Sequence, residues 1–108
     1  MSQVTYEVTA TVDTDVCPDY ERFMIDTYIP EMMATGNFAS ASLGRSEPGR
    51  YRVRYEAKDR AALERYLAHD APAVRKHFVE RFPTGVELSR EEWETVAEFS
   101  GGDQLAGR

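Results

Sequence analysis

The chain has 108 residues, of which 42% are hydrophobic and 30% are charged, and its formal net charge is -6 at pH 7. This length suits one domain with a single core, and the composition is that of a globular protein rather than a disordered, collagen-like or disulfide-rich one. The acidic balance and the lack of a basic tract argue against nucleic acid and against anionic membranes, so neither is expected as a partner.

The sequence also predicts a cytoplasmic location. No apolar run approaches the roughly 18 to 20 residues that cross a bilayer, and the start MSQVTYEVTA lacks the features of a signal peptide. The lone Cys17 cannot form an internal disulfide, which agrees with a reducing compartment. Cys17 lies at a predicted helix start, where either a reactive thiolate or an incidental small residue is conceivable.

The first predicted elements are a strand and a long helix. Residues 4–12 alternate apolar and polar side chains, which is typical of a half-buried β-strand. A helix is predicted over residues 15–35. Pro30 lies inside it and removes a backbone donor, so the helix must kink there or restart with Pro30 in a new first turn. Gly36 supplies the left-handed residue that commonly ends a helix.

A β-hairpin follows. In residues 37–45 the alternation predicts that Ala39, Ala41 and Leu43 share one side, with Phe38, Ser40 and Ser42 on the other. The sequence SEPG at 46–49 predicts the turn. The next strand alternates Tyr51, Val53, Tyr55 and Ala57 with charged residues.

The rest of the chain predicts two helical pieces and a last strand. Asp59 is expected to cap the first piece, and Asp70 the second, with Pro72 in its first turn. Residues 85–99 predict a strand with a bulge near residues 90–92, although a strand followed by a short helix fits as well. We expect a single domain over residues 1–99 and a flexible C-terminal tail over residues 100–108.

This order of elements predicts a ferredoxin-like α+β fold, a split βαβ arrangement in which four antiparallel strands carry the helices on one face. The apolar sides of the first and third strands should meet the helices. The other face should then be polar, with the aromatic Phe38 and, in one reading, Trp93 upon it. Its expected polar members are Thr5, Glu7, Thr9, Thr11, Ser40, Ser42, Arg52, Arg54 and Glu56.

Two interpretations of this polar face remain open. Antiparallel sheets often leave one face to water, so it can be a solvated surface. Alternatively, two such sheets meet in a homodimer and enclose a polar cavity. Glu7 and Arg54 lie on strands that should pair centrally, so a cross-strand ion pair is expected in either case.

Three segments carry a resemblance to a known family: VDTDVCPDYERFM, YIPEMMATGNFASASL and HDAPAVRKHFVERF. Together they resemble the bacterial domain-of-unknown-function family 4286 over about residues 4–98. The resemblance implies the dimeric α+β barrel superfamily, ferredoxin-like homodimers that include cofactor-free oxygenases, haem-degrading enzymes and relatives of chlorite dismutase. The family pattern has His where this chain has Tyr28, and its second His is displaced here to His69, which weakens a histidine-based site.

The residues expected to bind a ligand are Glu7, Tyr28, Arg54 and His77. Tyr28 lies beside the proline kink, where its phenol can serve a ligand or simply pack in the core. His77 is in phase with the buried side of its helix and is equally explained as a packed or partly exposed residue. Two histidines without a third ligand or a Cys pair do not make a metal site, so no metal and no cofactor is expected.

The sequence therefore predicts a small homodimer that binds a small polar or aromatic molecule in a cavity between the sheet and the kinked helix. The alternative is a cofactor-independent monooxygenase or isomerase of the dimeric α+β barrel superfamily. Neither the ligand nor the presence of catalysis follows from the sequence, because it contains no glycine-rich phosphate loop and no recognisable nucleophile.

Overall fold

A computed structural model describes residues 3–101 and shows one four-stranded antiparallel sheet in the order β2-β3-β1-β4. This is the predicted split βαβ arrangement of ferredoxin-like folds. The elements are β1 (Val4–Val12), a 3₁₀ turn (Thr14–Val16), α1 (Cys17–Phe23), a π-helical turn (Met24–Tyr28), α2 (Ile29–Ala34), β2 (Phe38–Glu47), β3 (Arg50–Ala57), α3 (Arg60–Arg65), a second π-helical turn (Tyr66–Asp70), α4 (Ala71–Arg81) and β4 (Val86–Glu94).

Each of the two helical segments contains a π-helical turn that ends two residues before a proline. In the first, the N–H of Ile29 donates to the carbonyl of Met24, five residues back, and Pro30 then stands in the first turn of α2. The wider turn accommodates a residue that cannot donate. Of the two outcomes predicted for Pro30, a kink or a restart, the structure therefore shows the restart in a new first turn. A π-helical turn also precedes Pro72 at the start of α4, and this turn was not predicted.

The core lies between the sheet and the helices, as predicted from the alternation in β1 and β3. The buried residues of these two strands are Val4, Tyr6, Ala10, Val12, Tyr51, Val53, Tyr55 and Ala57. Helical side chains cover them, and Leu63 and Val53 have no exposed surface at all. Burial of this apolar area supplies the main driving force for folding.

The prediction that Phe38 lies on the polar face is wrong. The pairing of β2 with β3 shifts between Phe38 and Ser40, so a β-bulge at Ala39 changes the phase of the strand. Phe38 therefore faces the helices together with Ala41, is only 3% exposed, and places its ring 5.1 Å from that of Tyr66. Ala39 is exposed and does not share the buried side predicted for it.

The predicted bulge in the last strand is also wrong. β4 pairs with β1 without interruption, from Glu94 opposite Val4 to Val86 opposite Val12. Arg90 consequently takes a position on the helix side of the sheet, and it is this charged residue that interrupts the apolar pattern. The strand ends at Glu94 rather than at residue 99, and residues 95–101 form no regular structure.

The face of the sheet away from the helices, called the open face below, has the predicted polar character. Besides the polar residues predicted for it, the pairing adds Arg50, Glu87, Ser89 and Glu91, and it confirms the reading that places Trp93 on this face. Trp93 is half exposed at 50%. The open face thus carries thirteen polar side chains among residues 3–101, a number that would be unusual in a buried core, so the open face faces solvent or another chain.

The structure contains one of the two predicted helix caps. The carboxylate of Asp59 accepts a hydrogen bond of 2.7 Å from the N–H of Ala62, which confirms the predicted cap. Asp70 makes no such bond, so its predicted role as a cap is wrong. Its carboxylate instead accepts a bond of 2.9 Å from Nδ2 of Asn37 and ties α4 to the start of β2.

Two further predictions concern the C-terminal end of the domain and membrane-spanning helices. Most of the predicted tail, residues 102–108, lies outside the described residues, and the domain boundary at residue 99 stays a prediction. Within residues 3–101, none of the helices combines the length and the apolar character needed to span a bilayer.

Candidate functional site

A small cavity lies between the sheet and the helices, and five of its lining residues are tyrosines. They come from four parts of the chain: β1, the helical segment before β2, β3 and the second π-helical turn. The lining residues are Tyr6, Val8, Tyr20, Met24, Tyr28, Met32, Tyr55, Tyr66, Arg75, Phe78, Leu88 and Arg90. The cavity is thus walled by aromatic rings and carries two cationic side chains.

Arg75 is the best-placed polar group of this cavity. Its Nη2 donates a hydrogen bond of 2.9 Å to the hydroxyl of Tyr6, while its Nε is buried and has no hydrogen-bond partner. Within residues 3–101, the hydrogen bonds include none for the hydroxyls of Tyr20, Tyr28 and Tyr55. A buried donor without a partner is costly, so the cavity has unmet capacity for an acceptor atom.

Burial keeps the phenols of Tyr20, Tyr28, Tyr55 and Tyr66 neutral at physiological pH. Burial raises the pKa of Tyr28 to about 12, although Arg90 opposes the shift, and burial raises the pKa of Tyr20, Tyr55 and Tyr66 as well. For Arg75, burial lowers the pKa, but the bond to Tyr6 and the neighbouring phenols outweigh it and the net direction is upward. The cavity therefore offers neutral hydroxyl donors and a retained positive charge.

An alkaline titration should reveal these buried phenols. Because the pKa of Tyr28 is higher in the folded chain than in the unfolded chain, its stabilising contribution is complete below about pH 10 and is lost as the pH rises toward 12. We expect tyrosinate absorbance at about pH 11 to be clearly lower in the folded protein than in guanidinium chloride. In Tyr28→Phe, the free energy of unfolding should fall less steeply over this range. Coincident titration curves for folded and unfolded protein would contradict the burial of these hydroxyls.

The cavity is too small for a ligand in this conformation. Its volume is about 20 Å³, which holds one water molecule and no aromatic ring. Both π-helical turns contribute to its wall, through Met24 and Tyr28 and through Tyr66. Such turns are frequent at functional sites, and methionine side chains repack readily, so this wall is the part of the fold best suited to open.

The structure does not bring the four predicted site residues together. Tyr28 lines the cavity, and it is 8% exposed. Glu7 and Arg54 lie on the opposite side of the sheet, on the open face. His77 is absent from the lining of the cavity and lies in α4 against α2.

The ion pair predicted between Glu7 and Arg54 is present. The two residues are directly paired across β1 and β3, and Nε of Arg54 lies 3.3 Å from Oε1 of Glu7. Nε of Arg52 lies 3.9 Å from the same oxygen. Glu7 and Arg52 line a shallow groove of about 420 Å³ on the open face, which Glu91 and Arg50 also line.

His77 makes a contact between helices. Its Nδ1 lies 2.8 Å from Oε1 of Glu31, and its ring stands edge-on to Phe23 at 5.5 Å. These contacts occupy one ring nitrogen and pack the ring against Phe23, so they explain His77 as a residue that joins α4 to α2.

Arg75, Arg90 and the other tyrosines of the cavity were not predicted as site residues. One signal was available: the apolar positions of β1 and β3 carry tyrosine where phenylalanine would pack as well, which brings hydroxyl groups into the core. The position of Arg90 was hidden by the assumed bulge. For Arg75 the sequence leaves a carboxylate-binding role open, but a solvated surface pair with Glu80 or Asp70 is the ordinary explanation of an arginine on a helix.

A family model named Domain of unknown function (DUF4286) matches residues 3–96. The chain belongs to this family. The membership agrees with the resemblance carried by the three sequence segments. No protein of curated function matches the sequence significantly.

Solved structures with the same fold share little sequence with this DUF4286 chain. A dimeric ferredoxin-like protein from an uncultured marine organism superposes with a TM-score of 0.63 at 21% identity, over 92% of this chain and 100% of its own. A candidate antibiotic biosynthesis monooxygenase from Caulobacter crescentus gives 0.68 at 17% identity, over 89% and 92%. The haem-degrader MhuD from Mycobacterium tuberculosis gives 0.66 at 18% identity, over 90% and 99%. At these identities the likeness establishes the fold alone.

A haem does not fit the DUF4286 cavity. Its described lining contains no histidine or cysteine, and the raised pKa of Tyr28 disfavours the phenolate that an iron ligand requires. Elsewhere in residues 3–101 there is no group of three His, Cys, Asp or Glu side chains that could hold a metal ion.

Proposed function

We propose that this DUF4286 protein is a homodimer in which each protomer binds a small polar or aromatic molecule in the tyrosine-lined cavity. The observation that carries the proposal is the buried Nε of Arg75, which has no hydrogen-bond partner and belongs to the wall of that cavity. A ligand acceptor atom would satisfy this donor.

The lining selects the chemistry of the ligand. Aromatic rings of Tyr6, Tyr55 and Phe78 favour a flat apolar body by stacking and edge contacts. Arg75 and Arg90 favour a carboxylate, phenolate or carbonyl oxygen at one end, and neutral phenols can donate to the same oxygens. A planar aromatic molecule with a carboxylate or phenolate at one end meets both requirements.

Binding requires the cavity to open. The state with about 20 Å³ of free volume must exchange with a minor, wider state in which the methionine and Tyr28 side chains move aside. The measured affinity is then reduced by the fraction of molecules in the open state. Weak binding of a probe is therefore consistent with the proposal, provided that it is saturable and depends on Arg75.

The alternative is a cofactor-independent monooxygenase or isomerase. Arg75 and the phenols would stabilise an oxyanion of the substrate, which favours this reading. Such reactions also need a group that accepts a proton, and the described lining contains no carboxylate and no imidazole. A binding function needs no such group, so we place it first.

The dimer and the location are parts of the same proposal. The open face is polar, carries the half-exposed Trp93 and suits contact with a second copy of the chain. The single Cys17 thiol supports a cytoplasmic setting, where thiols stay reduced.

Titration with 2-naphthoate, a planar aromatic carboxylate, tests the binding site. We expect one saturable site per chain by isothermal titration calorimetry, with about tenfold weaker binding in Arg75→Gln, because a charge-assisted hydrogen bond is lost. Arg65→Gln is the matched control, since Arg65 is exposed at the end of α3. Equal affinities in the wild type and Arg75→Gln would remove the proposed site.

A further inference from the structure

We propose that the ligand of the tyrosine-lined cavity carries two acidic groups at one end, and that Arg90 binds the second of them while Arg75 binds the first. The inference rests on the proposed function and adds the class of ligand, which is a planar aromatic dianion. It follows from where the cavity reaches the surface and from the charges at that place.

The cavity reaches the surface between β4 and α4. Eight of its twelve lining residues are buried, and the four that retain exposed surface come from one side of it: Val8, Arg75, Leu88 and Arg90. Val8 is paired with Arg90 across β1 and β4, and Leu88 lies two residues before Arg90 on the helix side of β4. β4 is an edge strand of the sheet. A ligand that enters here, at the mouth of the cavity, passes both arginines.

The two arginines at the mouth have no counter-charge from the protein. Within residues 3–101, Arg75 and Arg90 take part in none of the ion pairs, and the described lining of the cavity holds no carboxylate. Glu92 follows Arg90 on the helix side of β4, but it already forms an ion pair of 2.9 Å with an arginine of α3. Glu31 of α2 is likewise engaged, 2.8 Å from Nδ1 of His77. The mouth therefore presents two positive charges that only a ligand can neutralise.

A ligand with a single carboxylate would leave one of these charges without a partner. Water hydrates the exposed guanidinium of Arg90 in the free protein, and a ligand in the mouth displaces part of this water. A second acidic group on the ligand replaces the lost hydration with a charge-assisted hydrogen bond. The net charge of -6 repels dianions over the rest of the surface, so the mouth is the place where one binds.

Both acidic groups belong at the same end of the ligand, because both arginines lie near the same two phenols. Burial raises the pKa of Tyr28 and of Tyr66, and the positive charges of Arg75 and Arg90 each oppose that rise at both residues. Such Coulomb effects weaken with distance. Arg75 approaches from the helix layer and Arg90 from the sheet, so together they flank one end of the ligand. Carboxylates on neighbouring ring positions match this arrangement.

Three naphthalene acids test the inference by isothermal titration calorimetry at low salt and about pH 8, where every carboxylate is ionised. We expect 2,3-naphthalenedicarboxylate to bind the wild type at least about tenfold more tightly than 2-naphthoate, because one charge-assisted hydrogen bond is added. We expect 2,6-naphthalenedicarboxylate to bind no more tightly than 2-naphthoate. Its second carboxylate lies at the far end of the rings, where the described lining is aromatic and apolar.

The ratio of the two affinities, for the 2,3-diacid and for 2-naphthoate, assigns the second carboxylate to Arg90. In Arg90→Gln this ratio should fall to about twofold or less, whereas Arg90→Lys, which keeps the charge, should retain a ratio of about threefold or more. Arg65→Gln, at the exposed end of α3, is the control and should leave the ratio at its wild-type value. The ratio compares two ligands in one protein, so a small change in stability does not affect it.

Equal affinities of the wild type for the 2,3-diacid and 2-naphthoate would overturn the inference, and so would a ratio that is unchanged in Arg90→Gln. A gain with the 2,6-diacid that is lost in Arg90→Gln would place the two acidic groups at opposite ends and also overturn it. In each of these cases, 2-naphthoate binding that is weakened by Arg75→Gln leaves the proposed function in place. Equal binding of 2-naphthoate to the wild type and Arg75→Gln removes the proposed function, and this inference with it.

Discussion

Phe38→Ala should lower the free energy of unfolding by about 3 to 5 kcal/mol, the range found for truncation of buried phenylalanines. Phe38 is 3% exposed, and its ring lies among those of Tyr6, Tyr55 and Tyr66. The small residues that follow it in β2 cannot fill the space that its removal leaves. Urea unfolding measures this loss, provided that the slope of the free energy of unfolding against urea concentration is the same in both proteins.

The control for this prediction is Phe99→Ala. Phe99 is 94% exposed, so its truncation should change the free energy of unfolding by no more than about 0.5 kcal/mol. The strict alternation of β2 would place Phe38 on the open face, where the loss would be small too. A loss below about 1 kcal/mol for Phe38→Ala would therefore contradict the β-bulge at Ala39.

Gly49→Ala should cost about 3 kcal/mol, because two effects act at the same residue. Gly49 follows Pro48 in the turn between β2 and β3 and has a φ of 84°, where side chains are disfavoured. A Cβ there would also lie 2.7 Å from the carbonyl oxygen of Val12. The N–H of Val12 donates a bond of 2.7 Å to the carbonyl of Gly49, so any shift of the turn strains this contact with β1.

Gly36→Ala separates the two effects. Gly36 has a φ of 81°, close to that of Gly49, but a Cβ at Gly36 would meet nothing within 4 Å. We expect a cost of about 1 kcal/mol at Gly36, from the backbone conformation alone. Equal losses in the two variants would show that the turn does not pack against β1 in the way described.

The fold class followed from the sequence because its main signals are local. Alternation in β1 and β3 assigns Tyr6 and Tyr55 to the helix side and Glu7 and Arg54 to the open face without knowledge of any partner strand. The interruption of the helix at Pro30 is likewise predictable from that residue alone, because a residue without an N–H must begin a helical turn or break one. These inferences needed no information from distant parts of the chain.

The errors arose where the outcome depends on contacts between strands. Whether Ala39 bulges is decided by how β2 pairs with β3, and a one-residue shift moves Phe38 to the other side of the sheet. Arg90 breaks the apolar pattern of β4, so a bulge and an inward-facing arginine are equally good explanations until the pairing with β1 is known. Local sequence carries neither piece of information.

The candidate site was predicted only in part for the same reason. Its wall combines Tyr28 from the helical segment before β2, Tyr66 from the second π-helical turn and Arg75 from α4. Only the fold brings these residues to one cavity, and no short motif marks them as a set. Tyr28 was identified because the proline next to it singles it out, whereas Arg75 has no comparable neighbour.

The most direct test of the binding site is a crystal structure of the protein grown with 2-naphthoate. If the tyrosine-lined cavity binds the ligand, density for the naphthalene ring lies between the sheet and the helices, with its carboxylate against Arg75. Density confined to the open face, or a closed cavity in crystals at a saturating ligand concentration, would contradict a ligand site between the sheet and the helices.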